Sequence, residues 1–326
     1  MDAIRCAVTG CLGNVGYNLA FFLASGGVFG PHQKISLNLL EIPDLAPQLE
    51  GLKMELEDCA FPALHEIRVG SDSFDLFGDI DCAFLVGAKP RGPGMERKEL
   101  LQANGVIFQR QGQALDRSAK KRVRVLVVGN PCNTNCLIAL HNAKTISPDQ
   151  FAALTRLDEF RARAVLAKKT GADVSDVSPV VIWGNHSSTL VPDIQHTMIG
   201  KKAALSCVDE AWILSTMLPS VRKRGAEIIK LRGKSSSASA AFAAVSAMAV
   251  MTGQLEENSL VSMPVFSKGN PYGIDPNLVF SFPCRTHGDR LTIDPSMRPS
   301  DALWKEVLVS EKELIEERDA VRHLLV

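Results

Sequence analysis

The chain has no excess charge of either sign: 36 Lys and Arg balance 36 Asp and Glu over 326 residues. That balance excludes the long-range attraction by which basic proteins hold nucleic acid or an anionic membrane. A local positive site for a small anion remains open. Long runs of large apolar residues are also lacking. The longest uncharged stretch of concern, 235–252, is built of Ala and Ser, not Leu and Ile. It reads as a helix packed closely inside the protein, and a membrane span is a poor fit. Internal repeats, coiled-coil heptads and low-complexity linkers are missing. Eight cysteines stand at 6, 11, 59, 82, 132, 136, 207 and 284, without the close-paired pattern of a zinc site. Cys132 and Cys136 lie nearest each other, with no second pair to complete four ligands. Reduced, mostly buried thiols in a cytoplasmic protein are expected, and no metal. Residues 3–10 read as a strand, so no signal peptide is expected ahead of the fold.

What is present begins with 46% hydrophobic residues, enough for a real core at a length that suits one large domain or two ordinary ones. Ile4–Thr9 is a short β-rich segment. Gly10-Cys-Leu-Gly13-Asn-Val-Gly16 follows, and then the helical run Tyr17–Ala24. Gly10 allows a tight turn out of the strand. Gly13 lets the backbone approach a pyrophosphate at the helix N-terminus, and Gly16 lets helix and strand pack closely. A second strand, Ile35–Leu40, ends in Glu41. An acid there accepts the two ribose hydroxyls of an adenosine and repels a 2′-phosphate, which favours NAD over NADP. Its bland alternative is an acid facing solvent at a strand end. Further strands fit Ile80–Val86 and Val123–Val128, with helical segments around 45–60 and 97–119. This alternation marks an open parallel sheet with helices on both faces, whose ligands sit beyond the carboxyl ends of the strands. The loops beginning at Gly87 and Gly129 fall there. The segment 89–98 is rich in Pro, Gly and Arg. It reads either as a hinge that carries positive charge over a ligand or as an ordinary solvated loop. Asn130 either bonds a substrate hydroxyl or nicotinamide ribose, or ties down its turn.

The pattern changes near residue 150. Ser147-Pro-Asp is expected to start a helix that carries Leu154, Leu157, Asp158, Arg161 and Val165. Asp158 and Arg161 share a helix face at spacing three, which by itself reads as a surface ion pair. Val177–Trp183 reads as a strand, and Gly184-Asn-His186-Ser-Ser188 as the polar turn after it. A strand end is a good place for a proton carrier, and a carboxylate behind a histidine fixes its tautomer. The other six histidines lack such a constellation, though His196 lies only ten residues further on. Residues 209–231 and 235–252 read as long helices. Pro264–Ser267, Val279–Phe282 and Leu291–Ile293 read as an antiparallel sheet, and Trp304–Leu325 as a closing amphipathic helix.

These motifs together resemble the lactate/malate dehydrogenase family, in its malate-oxidising, cytosolic-type branch that also occurs in bacteria. The resemblance runs through nearly the whole chain: Thr9–Tyr17, Gly51–Pro62, Pro90–Arg97, Val128–Asn135, Leu154–Arg161, Ile182–Ser188 and Gly269–Gly273. The Leu-Thr-Arg-Leu-Asp-x-x-Arg-Ala run is its specific part. The resemblance implies an N-terminal Rossmann-type parallel sheet with helices on both faces, residues 1–153, and an α+β C-terminal domain with antiparallel strands, residues 154–326. It implies reversible, NAD-dependent interconversion of malate and oxaloacetate, as in the tricarboxylic acid cycle, by a cytoplasmic homodimer. By the same resemblance His186 is the proton acceptor and donor and Asp158 its partner. Arg161 grips the carboxylate beside the reacting carbon, Arg97 polarises the carbonyl, and Arg91 recognises the distal carboxylate. Asn130 contacts substrate and cofactor. Gly10, Gly13, Asn14, Val15, Gly16, Glu41, Gly87, Val128 and Ser239 complete the cofactor site. The dimer interface is expected on parts of 155–170 and 209–245. Departures from the family are Glu41 in place of the usual Asp, Cys11-Leu12 in place of a small pair, and Glu159-Phe160 in place of His-Asn. Two rivals remain: a lactate-type enzyme, against which Arg91 argues, and a nucleotide-binding protein without chemistry, against which His186, Asp158 and Arg161 argue.

Overall fold

The computed structural model of the chain describes residues 2–89 and 97–325, without the side chains at 97 and 98. The first half alternates strand and helix: β1 (Ile4–Thr9), α1 (Asn14–Ala24), β2 (Ile35–Leu40), α2 (Leu49–Asp58), β3 (Leu64–Gly70), α3 (Ser73–Leu76), β4 (Cys82–Leu85), α4 (Arg97–Ser118), β5 (Arg124–Val127), α5 (Cys132–His141) and β6 (Phe151–Ala153). All six strands are parallel, in the order β3-β2-β1-β4-β5-β6. Strand order reverses between β1 and β4, which makes that gap the switch point where such sheets take ligands. Every residue of β2 is buried, as a strand covered on both faces requires. The pleat divides the sheet's side chains between two cores. Cys6, Val8, Cys82, Phe84 and Leu126 face one, while Ala7, Ala83, Leu85, Val125 and Val127 face the other.

Register places the site. Thr9 pairs with both Leu40 and Leu85; Leu85 pairs with Val127, and Val127 with Ala153. The last residues of five strands therefore form one row. The next residues in the chain, Gly10, Glu41, Val86, Val128 and Leu154, all emerge on one rim of the sheet.

The second half continues with α6 (Arg156–Thr170), β7 (Val177–Ser178), β8 (Val181–Trp183), β9 (Val191–Asp193), β10 (Met198–Ile199), β11 (Lys202–Ala203), α7 (Glu210–Trp212), α8 (Leu218–Arg232), α9 (Ala238–Met251), β12 (Leu260–Phe266), β13 (Val279–His287), β14 (Arg290–Ile293) and α10 (Asp301–Ala320). Its strand pairs are antiparallel. One of the two cores runs without a break from α1 and β1 into α6, α9, β8 and β13, so the halves share an interior.

Two expectations about elements are corrected. No helix starts at Ser147. A single 3₁₀ turn at Pro148–Gln150 leads into β6, which adds a sixth strand to the sheet, and α6 opens only at Arg156. A capping serine and a following proline begin a 3₁₀ turn as readily as an α-helix, and the pairing partner Val125–Val127 decided the matter. The expected strand Val177–Trp183 is two strands in different sheets. β7 pairs with β10, β8 with β9, and Pro179 lies between. Proline lacks the N–H that would carry a ladder through.

The expected helix at 209–231 is continuous but not uniform. α7 passes through a π turn at Ile213–Met217 into α8, with Pro219 in the first turn of the latter. Among the described residues no helix is long and apolar enough to cross a membrane. Of the eight cysteines only Cys59 and Cys207 are exposed, and none is bonded to another. Burial pushes the Cys132 and Cys284 thiols up to about 12, so they stay protonated and inert.

Candidate active site

The glycine loop turns between β1 and α1 at the switch point. Gly10 has φ of +69°, and a Cβ on it would lie 2.6 Å from the Cα of Gly87. A Cβ on Gly16 would lie 2.2 Å from the Gly10 carbonyl oxygen and 2.9 Å from the Cys11 Cα. Both clashes are with backbone, which cannot move aside, so these two positions admit only glycine. The β1 and β4 ends are also tied directly, because Val86 and Gly87 each donate a backbone N–H to Thr9 Oγ1 at 3.0 Å.

Gly13 is the N-cap of α1 and brings no side chain to close the helix end. Asn14 and Val15 open that helix, where backbone N–H groups have no partner one turn back. An open, glycine-flanked N-terminus fits the pyrophosphate of a dinucleotide, whose charge the helix dipole favours. Glu41 stands on the same rim. Its carboxylate accepts the N–H of Leu12 at 3.1 Å and of Ile42 at 3.0 Å. The longer acid at this position therefore reaches back onto the glycine loop, and through Leu12, one of the two departures in that loop. A negative charge beside the adenosine end of the cradle fits NAD.

The chemistry lies across the rim, on the second half. Asp158 sits in the first turn of α6, where negative charge suits the helix dipole, and is fully buried. One of its oxygens, Oδ2, is 2.5 Å from His186 Nδ1; the other, Oδ1, accepts from Arg161 Nη1 at 3.3 Å. A single carboxylate thus holds an imidazole 28 residues away in sequence and a guanidinium on its own helix. The spacing that by itself reads as a surface pair is internal here: the side chains of Asp158 and Arg161 are 0% and 13% exposed.

A carboxylate only accepts, so Nδ1 carries the proton and Nε2, on the far side of the ring, is the acceptor in the neutral imidazole. The ring keeps 20% of its surface open. Arg161 Nη2 donates to Ser236 Oγ at 3.0 Å. Burial pushes the Arg161 guanidinium down from its ordinary value while Asp158 opposes that, and arginine remains a cation. The backbone N–H of His186 donates to Asn133 Oδ1 at 3.1 Å. Trp183, wholly buried, donates its indole N–H to Asp193 and meets the Tyr272 ring edge-on at 4.8 Å, anchoring the strand that presents His186.

The structure therefore brings His186, Asp158 and Arg161 together. It sets Gly10, Gly13, Asn14, Val15, Gly16, Glu41, Gly87, Val128 and Asn130 on the rim of the sheet. Asn130 is exposed, and its carbonyl accepts from Asn104 Nδ2 at 3.1 Å. Ser239 is exposed in the first turn of α9. Ser188 and His196 are exposed too. Arg91 lies outside the described residues, as does the side chain of Arg97, the first residue of α4.

Four residues near the site were not singled out from the sequence. Asn104, buried in α4, accepts the Lys89 N–H at 2.8 Å and so ties the start of the Arg91 segment to the end of β5. Asn133 holds the His186 backbone. Ser236 meets Arg161, and Ser237 Oγ donates to the Asn14 carbonyl at 2.7 Å, joining α9 to the start of α1. The two serines precede the Ala/Ser helix, and no local pattern separates them from Ser239. The departure at Glu159-Phe160 also finds its reason. Glu159 pairs with Arg156 at 2.6 Å in the interior, and Phe160 packs on Phe242 of α9 with ring centroids 5.9 Å apart.

A doubly wound sheet that opens its switch point toward a carboxylate-backed imidazole is the architecture of dinucleotide-dependent hydroxyacid dehydrogenases. Residues 4–151 match the family model described as lactate/malate dehydrogenase, NAD binding domain, and residues 155–324 its alpha/beta C-terminal domain. The chain belongs to the lactate/malate dehydrogenase family. It is similar to the malate dehydrogenase of Protochlamydia amoebophila, with 48% identity over 324 residues, 99% of this chain and 98% of that one. Among solved structures, the malate dehydrogenase of Naegleria fowleri superposes with a TM-score of 0.95 at 41% identity, covering 99% of each chain. The lactate dehydrogenase of Trichomonas vaginalis, in complex with NADH and oxamate, superposes at 0.92 with 37% identity, again over 99% of each chain.

Proposed function

We propose that this protein is an NAD-dependent malate dehydrogenase that interconverts (S)-malate and oxaloacetate. The observation that carries the reading is the shared Asp158 carboxylate, which faces a proton carrier on one oxygen and a carboxylate-binding cation on the other. Similarity to the malate dehydrogenases of Protochlamydia amoebophila and Naegleria fowleri supports malate as the substrate, and the NADH complex of the Trichomonas vaginalis protein supports the cofactor.

When bound, NAD supplies the acceptor for the hydride that leaves the hydroxyl-bearing carbon. The rest falls to the chain. The glycine loop and the α1 terminus would hold the pyrophosphate, and Glu41 the adenosine ribose. His186 takes the hydroxyl proton at Nε2, and Asp158 stabilises the imidazolium that forms. In the reverse direction protonated His186 returns that proton to the developing alkoxide, whose charge Arg97 stabilises. Arg161 holds the carboxylate beside the reacting carbon with its planar fork, and Arg91 takes the distal carboxylate.

Spectrophotometric loss of NADH tests the reading. Oxaloacetate is expected to be reduced with a kcat/KM at least ~100-fold above that of pyruvate, because a guanidinium left without its carboxylate penalises the monocarboxylate. Equal efficiency with pyruvate would sink the malate assignment.

The chain's association into a homodimer is part of the same proposal. Phe242 on α9 is a large, exposed apolar side chain, seated between Phe22 of α1 and Phe160 of α6. An apolar face of that kind suits a second copy of the chain. Light scattering should give the mass of two chains, and of one chain for Phe242→Glu; a monomeric wild type would refute the interface.

A further inference from the structure

The loop that carries His186 is held from behind by polar groups on α10. Residues alternate along it. His186 points to Asp158, while Asn185, Ser187 and Thr189 all point to α10. There, one oxygen of Glu313 takes three donors: Asn185 Nδ2 at 2.9 Å, Thr189 Oγ1 at 2.7 Å and the Ser187 hydroxyl. One turn on, Glu317 takes the second hydrogen of the same Asn185 amide at 3.1 Å. Its other oxygen accepts the hydroxyl of Thr134, the neighbour of the Asn133 that holds the His186 N–H. Ser310, one turn back from Glu313, accepts the Asn185 backbone N–H at 2.8 Å. Asn185, Ser310 and Glu317 are buried.

Carboxylates are poor choices for filling an interior, because each must be stripped of water and then satisfied by donors. Here three donors to Glu313, from Asn185, Ser187 and Thr189, lie within three residues of the proton carrier, on both sides of it. Proton transfer requires heavy atoms within ordinary hydrogen-bond reach, and a slip of an ångström costs orders of magnitude in rate.

We infer that Glu313, with Glu317 beside it, is a positioning residue for proton transfer. It clamps residues 185, 187 and 189 so that the imidazole between them has one depth and one orientation over the substrate. The clamp acts through the backbone, so it governs the chemical step and leaves cofactor binding alone. This rests on His186 being the proton carrier.

The test measures kcat, KM for oxaloacetate, NADH affinity and stoichiometry, and the solvent deuterium isotope effect on kcat. Glu313→Ala is expected to lower kcat ~10- to 100-fold, with NADH affinity and stoichiometry unchanged. The isotope effect should rise as proton transfer becomes limiting. Glu313→Gln, which keeps a carbonyl oxygen with two lone pairs for these donors, should recover much of the rate. Should Glu313→Ala fail to fold, the milder Ser187→Ala/Thr189→Val double variant removes two donors and is expected to change kcat and the isotope effect the same way. A kcat loss fully matched by lost NADH stoichiometry, or an unchanged isotope effect in the folded variant, overturns the inference. His186→Gln assayed in parallel separates the two levels. If it stays active, the proton-carrier reading itself fails. If it is inactive while the clamp variants keep wild-type kinetics, the inference alone fails.

Discussion

Replacing His186 by glutamine is expected to lower kcat in both directions by ~10²–10⁴-fold, the usual contribution of a positioned acid–base group. The choice of glutamine matters. An alanine would leave the buried Asp158 carboxylate with Arg161 as its remaining named partner, and removing one member of a buried pair costs about 3–5 kcal/mol in unfavourable cases. Glutamine can still donate an amide N–H to Asp158 Oδ2 but cannot carry a proton between substrate and solvent. The loss should therefore appear in turnover and not in folding. NADH binding, followed by fluorescence, should stay close to wild type, since Gly10, Gly13, Gly16 and Glu41 lie on the sheet rim of the other half. A folded His186→Gln protein with undiminished kcat would remove His186 from the reaction.

The second large effect is expected at Arg91. Its segment lies outside the described residues, but the Lys89 that leads into it is tied to Asn104 at 2.8 Å, which sets where the segment leaves the sheet rim. A guanidinium over the far end of the substrate contributes charge-assisted, paired hydrogen bonds to a second carboxylate, each worth about 1.5–3 kcal/mol. Arg91→Gln keeps a polar amide while removing the charge and shortening the side chain. Expressed as ΔΔG‡ from kcat/KM, a loss of about 3 kcal/mol for oxaloacetate corresponds to roughly 100-fold or somewhat more. Pyruvate has no second carboxylate to lose and should hold steady or improve once the unmatched cation is gone. The ratio of the two efficiencies is the quantity to measure. If that ratio does not move, Arg91 does not read the substrate's distal end.

Much of this was legible locally. The glycine loop, Glu41 and the alternation of strands and helices report a dinucleotide fold because turn chemistry and periodicity act over a few residues. The errors came where distant pairing decides. Ser147-Pro-Asp has the signature of a helix start, yet β5 recruited Phe151–Ala153 as a strand. Val177–Trp183 has the composition of a single strand, yet Pro179 and two different partners split it. Asp158 and Arg161 have the spacing of a solvated pair, yet α6 turns them inward.

The sequence by itself determined which groups this protein has for chemistry, one imidazole at a strand end with a carboxylate and guanidinium one helical turn apart, and that a dinucleotide cradle opens the chain. The tertiary structure alone decided that these groups meet. The row of register that ends β1, β2, β4, β5 and β6 together lines up the rim loops, and α6 brings Asp158 within reach of a histidine from another sheet. Only there could the Ser310, Glu313 and Glu317 stripe of α10 be recognised as backing the His186 loop. Spacing along a chain encodes neighbours within a turn or a strand; contacts across 28 or 128 residues follow from how buried faces pack, which no local pattern carries.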